Sequence, residues 1–292
     1  SLFQQTLHML ASSGSTRAYL GITEQQRLPV ILPSPEKQEK IASILSSYDD
    51  LIANNQRRIA LLEAMVEEIY CEWFVRLRFP GRPANWSETL EPAGWSRKPI
   101  GHLTCQIKRG VSPDYDDQAQ ALVINQKCIR NGRVSLGEAR LHATPVPDEK
   151  MLRYGDVLVN STGVGTLGRA AMFDIEREDV TCDSHVTIVR PNDVAVEGEF
   201  LAFTIQLLQT YFEAMASGST GQSELGRDFI AKTKVLIPPK ELMKTFSTHA
   251  WPIRKQRRRL LEENERLKAM KDALLPRLIS GKLRVDHLDI QL

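Results

Sequence analysis

Two long segments of the chain repeat their apolar residues with the alternating four- and three-residue spacing of a coiled coil. In residues 34–76 the spacing holds for five heptads and Asn55 is its one plainly polar member, whereas in residues 239–280 one series is apolar and the other mixed. The four series are Ile41, Tyr48, Asn55, Leu62, Ile69; Leu45, Ile52, Ile59, Val66, Trp73; Phe246, Ile253, Leu260, Leu267, Leu274; and Ala250, Arg257, Asn264, Lys271, Leu278. The pattern predicts an antiparallel pair of helices about 60 Å long at 1.5 Å per residue. The alternative is two amphipathic helices packed on a globular core.

Prolines mark the ends of both segments. Pro33 and Pro35 precede the first, and the pair at residues 238–239 precedes the second. Pro252 lies one turn into the second pattern, so we expect the helix to start or to kink there, and we expect Pro276 to end it.

Between the helices, residues 95–238 alternate short β-type runs with glycine and asparagine turns, which predicts a β-rich α+β domain. One helical stretch, 198–216, follows the last of these runs. The predicted strands are Leu122–Asn125, Val157–Asn160, Ala170–Phe173 and Val186–Val189.

An internal repeat with a period near 205 residues organises the whole chain. The sequence Ser13-Gly14-Ser15-Thr16 recurs at residues 217–220, and residues 30–33 recur as Val235-Leu236-Ile237-Pro238. Each copy is followed by one of the long helices, and the first copy is short. We therefore divide the chain into the tail of a first domain, a helix, a linker, a whole domain, a second helix and a tail, with bounds at 1–33, 34–76, 77–94, 95–238, 239–280 and 281–292.

Composition and charge narrow the functional classes. Apolar residues make up 42% and charged residues 25%, with no run long enough for a transmembrane helix and no secretory signal at residues 1–20. The four scattered cysteines favour a reducing cytoplasm and neither a disulfide scaffold nor a metal site. Segment 34–76 carries 5 basic and 8 acidic residues and segment 239–292 carries 13 and 7, so the two segments have complementary charge.

The middle domain concentrates basic residues among loop-type polar residues, which is typical of surfaces that contact nucleic acid. Between residues 97 and 133 there are seven basic and three acidic residues. We expect phosphate contacts from the basic side chains and base contacts from the amides and Tyr115, and the alternative is an ordinary solvated basic surface. The candidate DNA-binding residues are Lys108, Arg109, Ser112, Tyr115, Asn125, Gln126, Lys127, Arg130, Arg133, Asn160, Ser161, Thr162, Arg169, His185, Thr220 and Gln222.

No catalytic motif is complete. Gly163, Gly165 and Gly168 match a dinucleotide-binding spacing after a strand, but residues 169–174 predict another strand where that fold needs a helix. His185 has no nucleophile motif with which to form a triad. We therefore predict no catalytic residue, no bound cofactor and no metal.

Several motifs in order resemble the specificity subunits of type I restriction–modification enzymes. They are Leu158-Val159-Asn160-Ser161-Thr162-Gly163 with Gly165-Thr166-Leu167-Gly168-Arg169, Asp183-Ser184-His185-Val186-Thr187-Ile188-Val189-Arg190-Pro191, Gly218-Ser219-Thr220-Gly221-Gln222-Ser223-Glu224-Leu225, Ile237-Pro238-Pro239 and Leu274-Leu275-Pro276-Arg277-Leu278-Ile279-Ser280-Gly281-Lys282-Leu283. The resemblance covers essentially the whole chain. It departs from the family at the front, where most of a first target recognition domain is missing.

The resemblance implies a non-catalytic cytoplasmic protein that reads one half of a bipartite double-stranded DNA site. Residues 95–238 would be the target recognition domain, and the helices would be the spacer and the docking surface for DNA adenine methyltransferase subunits. Those partners would bind S-adenosylmethionine, and a motor–nuclease subunit with ATP and Mg²⁺ would cleave. Open alternatives are a half-subunit that pairs with a second copy, a coiled-coil regulatory fragment without DNA binding of its own, and a fused methyltransferase, against which the missing motifs argue.

Overall fold

The computed structural model describes residues 21–26, 28, 32–83, 91–216 and 224–285, which form two compact units. The first unit comprises Ser1–Ala60 and Arg259–Leu292, and the second comprises Leu61–Arg258. After a short helix α1 (Ile22–Gln26), the two long predicted helices are present as α2 (Pro35–Tyr70) and, at the end of the chain, α6 (Lys240–Ile279). A π-helical turn, Cys71–Val75, continues α2. The expected remnant domain at 1–33 lies mostly outside the described residues.

In the first unit, α2 and α6 run antiparallel. Ile41 near the start of α2 packs with Leu278 near the end of α6, and Val285 completes this small core. Further along, Lys271 Nζ lies 2.5 Å from Asp49 Oδ1, an ion pair between the acidic and the basic segment. The predicted charge complementarity is therefore seen in this unit as a direct contact.

The predicted coiled-coil positions are the covered ones. Every member of the four series is buried or half-buried, and no member is fully exposed. Asn55 and Asn264 are each only 4% exposed, which confirms that the seam carries polar residues inside it.

The prediction that Pro276 ends the second helix is wrong, and so is a start at Pro252, whereas the alternative of a kink at Pro252 stays a prediction. The helix α6 neither starts at Pro252 nor ends at Pro276, because it runs without interruption from Lys240 to Ile279. Both prolines are exposed, so the backbone carbonyls that lose a helical hydrogen-bond partner can be solvated. The chain leaves the helix at Gly281, which has a φ of 71° that favours glycine.

In the second unit, the adjoining parts of both helices pack on the domain between them. Tyr70 and Phe246 have ring centroids 5.6 Å apart, and Phe74 and Phe200 lie 4.9 Å apart edge to face. The Tyr70 hydroxyl is hydrogen-bonded to Thr204 at 2.8 Å, and burial raises its pKa. Both expectations thus hold in part, since the helices pair with each other and also cover a globular core.

The domain is built from short strands and three helices. The strands are β1 (Ser96–Pro99), β2 (Thr104–Arg109), β3 (Ala121–Ile124), β4 (Ile129–Arg130), β5 (Arg133–Val134), β6 (Arg140–His142), β7 (Val157–Asn160), β8 (Ala170–Met172), β9 (Val180–Cys182), β10 (Val186–Pro191) and β11 (Lys234–Ile237), and the helices are α3 (Gly198–Leu207), α4 (Gln209–Ala216) and α5 (Arg227–Lys232). All four predicted strands are present within one or two residues. The predicted helix 198–216 is interrupted at Leu208.

The described strands form a four-stranded sheet, a three-stranded sheet and two small two-stranded sheets. The four-stranded sheet has a buried cluster on each face and shares one of these clusters with the three-stranded sheet. The four-stranded sheet has the order β2-β10-β7-β8 and is antiparallel, and the three-stranded sheet has the order β6-β3-β9 with β3 and β9 parallel. The pair β1–β11 closes the domain next to α6, and β4 pairs with β5. The mixed α+β prediction is confirmed.

The glycine-rich motif lies in the turn between β7 and β8. Gly163, Gly165 and Gly168 have φ values of 98°, 70° and 79°, so the loop uses the left-handed region three times. The next element is the strand β8, as the sequence predicted, and no helix starts there to receive a pyrophosphate. Among the described residues, no helix combines the length and the apolar character needed to cross a membrane.

Candidate nucleic-acid interface

Three polar side chains meet where strands β7 and β10 and the segment after β3 come together. The Thr162 hydroxyl lies 2.9 Å from His185 Nδ1, and Gln126 Nε2 donates to the Thr162 carbonyl at 2.9 Å and also to its hydroxyl. We call Gln126, Thr162 and His185 the polar trio. His185 is exposed and the other two are half-buried. An amide, a hydroxyl and an imidazole together offer both donors and acceptors, which is what reading a base edge requires.

Two of the predicted contact residues support this site from inside. Asn160 and Ser161 have no exposed surface, and their predicted contact with DNA stays a prediction. Asn160 Nδ2 donates to the Gln126 carbonyl at 3.1 Å, and the Ser161 hydroxyl lies 2.6 Å from that of Thr187. Because β7 ends here with both faces covered, only Thr162 emerges from the run of three polar residues.

Arg109 joins the polar trio to a basic cavity. Its guanidinium donates to the Ser184 carbonyl at 3.0 Å, to the Leu225 carbonyl at 3.0 Å and to Glu224 Oε1 at 2.7 Å. Burial lowers the pKa of Arg109, and the charge of Glu224 opposes that effect. Arg109 therefore acts first as a structural brace between β2, the His185 loop and Leu225.

The cavity itself has a volume of about 520 Å³ and an excess of positive charge. Four basic side chains and two acidic ones surround it, and Gly226 completes the wall. The charged residues are Lys108, Arg109, Lys150, Glu224, Arg227 and Asp228. A cavity of this kind suits an anionic group such as a backbone phosphate.

Sequence reasoning missed Lys150 and Arg227. Lys150 lies in a turn after a proline-rich segment, and its ammonium group donates to the Gly110 carbonyl at 2.9 Å. Arg227 is exposed at the start of α5. Neither residue belongs to the basic stretch 97–133. The turn that carries Lys150 is attached to β2 by the hydrogen bond from Gln106 to the Glu149 carbonyl, and Arg227 lines the same cavity after Glu224.

The predicted phosphate-binding residues divide into two groups. Lys108 is paired with Glu149 at 2.9 Å, and Arg133 is paired with Glu63 of α2 through two short hydrogen bonds. Lys127 and Arg130 are exposed and form no ion pair among the described residues. Because a cation that already has a carboxylate partner gains less from a phosphate, Lys127 and Arg130 are the stronger candidates.

The other candidates have defined positions in the domain. Asn125 caps the 3₁₀ turn at residues 126–128 by accepting from the Lys127 amide at 2.8 Å, and Tyr115 lies under the Arg140 guanidinium at 3.7 Å. Arg169 donates to the Gly165 carbonyl at 2.6 Å and so ties the glycine loop, and Ser112 is exposed. Thr220 and Gln222 lie outside the described residues.

The pair Thr162 and His185 can be compared with a nucleophile and its general base. Thr162 and His185 have the spacing of a nucleophile and its base, but no carboxylate orients the ring, since Asp183 accepts from the His185 backbone amide at 2.9 Å instead. Burial raises the pKa of Asp183. In the part of the chain that is described, no three histidine, cysteine or acidic side chains cluster as metal ligands would.

The sequence of this chain is similar to those of several known proteins. Residues 2–64 match the family described as "Type I restriction modification DNA specificity domain". The specificity subunit of the type I restriction enzyme MjaIX from Methanocaldococcus jannaschii is 25% identical over 284 residues, which is 95% of this chain and 66% of that protein. The HindI specificity subunit from Haemophilus influenzae is 21% identical over 345 residues, covering 94% of this chain and 73% of its own.

A solved structure shares the fold. The S subunit of a type I restriction–modification system from M. genitalium superposes with a TM-score of 0.56 at 17% identity, over 94% of this chain and 69% of that one. The two chains thus share a fold in which a mixed α+β domain lies between two long helices in the sequence. The chain is therefore similar along most of its length to specificity subunits of type I restriction enzymes, with the family match itself at residues 2–64. It spans about 66% of the length of MjaIX, the first of these relatives.

Proposed function

We propose that this chain is a non-catalytic DNA-recognition subunit that reads one half of a bipartite site and docks methyltransferase subunits through its helices. The observation that carries the proposal is the polar trio, which lies where the central strands β7 and β10 of the four-stranded sheet end and begin, beside a cavity with four basic side chains. Base edges are read by such donor–acceptor groups, and phosphates position the protein.

The roles of the partner subunits are those that the resemblance to specificity subunits implies. S-adenosylmethionine would be bound by partner methyltransferase subunits that modify adenine, and ATP and Mg²⁺ by a motor–nuclease subunit. In this chain α2 and α6 would provide the partner surface and the spacer between two half-site readers. A second copy of this chain is one source of the second reader.

The test is single-molecule methylome sequencing of cells that express the chain with its methyltransferase subunit. We expect one bipartite methylated motif that disappears without the chain. Thr162→Val and His185→Ala should remove or relax specificity in one half of the motif only, with about 1–3 kcal/mol lost at the affected base pair. His102→Ala, which changes an exposed histidine outside the trio, should leave the motif unchanged.

Two results would contradict the proposal. One is a motif that is the same in the His185→Ala and wild-type strains, since then the trio does not read bases. The other is methylation that does not depend on the chain at all. Purified chain that methylates DNA by itself would restore the fused-methyltransferase alternative.

A further inference from the structure

The second unit contains a buried ionic network between its helices and its recognition domain. On the helix side it contains Glu63 of α2 and Arg254, Arg257 and Arg258 of α6, and on the domain side Arg133 of β5, Asp174 after β8 and Glu199 of α3. We call these seven residues the junction network.

Each connection in the junction network reaches a different element of the domain. Glu63 accepts hydrogen bonds from Nε and Nη2 of Arg133. Arg254 Nε donates to both carboxylate oxygens of Glu199. Asp174 accepts hydrogen bonds from Arg257 and Arg258. A further bond, from Arg257 to Glu63 at 3.2 Å, joins the two helices. Three attachments on three elements are enough to fix the orientation of the domain on these helix segments.

Four of the seven residues of the junction network are buried, and the other three are partly buried. Arg254, Arg257, Asp174 and Glu199 are each less than 9% exposed. Burial alone would raise the pKa of Asp174, but the nearby charges of Arg257 and Arg258 outweigh it, and its pKa lies below the ordinary range. The Nε atoms of Arg257 and Arg258 are buried without a hydrogen-bond partner, which is a cost that an apolar junction would not have.

Ionic groups of this kind contribute orientation more than stability. An apolar cluster already joins the same parts of the chain, through Tyr70, Phe74, Phe200, Phe203 and Phe246. Such contacts are non-directional, whereas paired arginine–carboxylate bonds have a defined geometry, and replacing a buried ion pair by apolar residues is often neutral or stabilising. The arginine–carboxylate bonds therefore define an orientation of the domain that the apolar cluster alone does not define.

We propose that the junction network sets the angle at which the recognition domain leaves its helices, and thereby the spacing between half-sites that the complex accepts. The proposal rests on the proposed function for its second part only. Glu63, Asp174 and Glu199 are then positioning residues, which do not contact DNA and act through the orientation of the polar trio.

The experiment replaces one connection by an apolar pair of similar size, Glu199→Leu with Arg254→Met, in the full chain assembled with its methyltransferase. The control is Arg177→Met with Asp179→Leu, an exposed ion pair of the same domain. We expect unchanged or higher thermal stability, the same half-site sequences, and discrimination against sites one base pair longer or shorter that falls about tenfold. Asp174→Asn should have the same effect on spacing with lower stability.

A second measurement does not depend on DNA. In a Cys71→Ser, Cys105→Ser background, spin labels at Ala64 on α2 and Asp117 in the domain report their distance distribution, which we expect to broaden or shift in the Glu199→Leu, Arg254→Met chain. A folded double variant with an unchanged distribution would overturn the proposal. Equal loss of methylation at every spacing would overturn it as well, because it indicates a structural role only. If the distribution changes while the wild-type complex shows no bipartite motif, the orientation holds and the proposed function fails.

Discussion

At the residue scale, glycine at position 110 allows the backbone at the end of β2 to lie against the end of β9 in the three-stranded sheet. A Cβ atom at this position would lie 2.0 Å from the Cys182 carbonyl oxygen and 2.4 Å from that of Asp183. The approach is held by hydrogen bonds from the Gly110 and Val111 amides to the Val186 and Cys182 carbonyls, at 3.1 and 2.8 Å. Glycine is therefore required here by the proximity of backbone, not by its own φ.

We predict that Gly110→Ala lowers the free energy of unfolding by about 3 kcal/mol or more, because backbone on both sides has to move. Urea unfolding of the full chain measures the change. Gly226→Ala is the matched control, since nothing lies within 4 Å of a Cβ there, and its effect should be small. A Gly110→Ala chain as stable as the control would show that the two sheets separate at no cost.

The sequence indicates which residues are polar at this scale but not which of them are available. The run Asn160-Ser161-Thr162 was predicted as one contact loop, yet only Thr162 emerges, because hydrogen bonds to Gln126 and Thr187 bury the other two. Arg133 has its partner Glu63 in another element, 70 residues earlier. Ion pairs that depend on tertiary packing leave no local signal, and Arg133→Ala would test the fold of the junction more than DNA contact.

At the scale of elements, the polar residues in the coiled-coil seam were predictable and their consequence is testable. Heptad spacing places Asn55 and Asn264 inside, and both are buried. The Oδ1 atom of Asn264 has no hydrogen-bond partner. A buried polar atom without a partner lowers stability, and it also disfavours registers that would bury more of them.

We predict that Asn264→Leu raises the free energy of unfolding by about 1–2 kcal/mol while relaxing the register of α2 against α6. Cross-linking by a bismaleimide between cysteines at positions 49 and 271, whose native side chains are in contact, reports the native register, and cross-linking between cysteines at 49 and 264 reports a shift of seven residues. Glu263→Leu, at an exposed neighbour, should change neither quantity. A destabilised variant that keeps the native register would contradict this view of the seam.

Helix ends were harder to predict than helix existence. Pro252 and Pro276 predicted a start or kink and an end of the second helix, but α6 continues through both residues. Backbone carbonyls near an exposed proline can be solvated, and the helix is packed on either side through the buried Phe246 and Leu278. Packing of a long apolar face outweighs one missing hydrogen bond. The strands of the domain were predicted more accurately than the helix ends, because short β-type runs are separated by glycine and asparagine turns.

At the scale of the whole molecule, the balance of charge bears on the proposed binding to DNA. The net charge is +2, and much of the predicted basic surface is already neutralised, Lys108 by Glu149 and Arg109 by Glu224. Composition could not show this, because it counts charges without their partners. We therefore expect weak binding by the isolated chain and stronger binding in the assembled complex, where partners add further cations.

Salt dependence tests this distribution of charge. Each phosphate contact contributes about 0.9 to the slope of log affinity against log salt, so Lys127→Ala with Arg130→Ala in the assembled complex should reduce the slope by about 1.8. Lys108→Ala should reduce it less, because Glu149 already occupies that ammonium group. Lys98→Ala with Lys234→Ala, two exposed lysines on β1 and β11, serves as the control and should leave the slope unchanged. If the control and the Lys127, Arg130 variant lose the same slope, the effect comes from net charge, and these two residues do not contact phosphates.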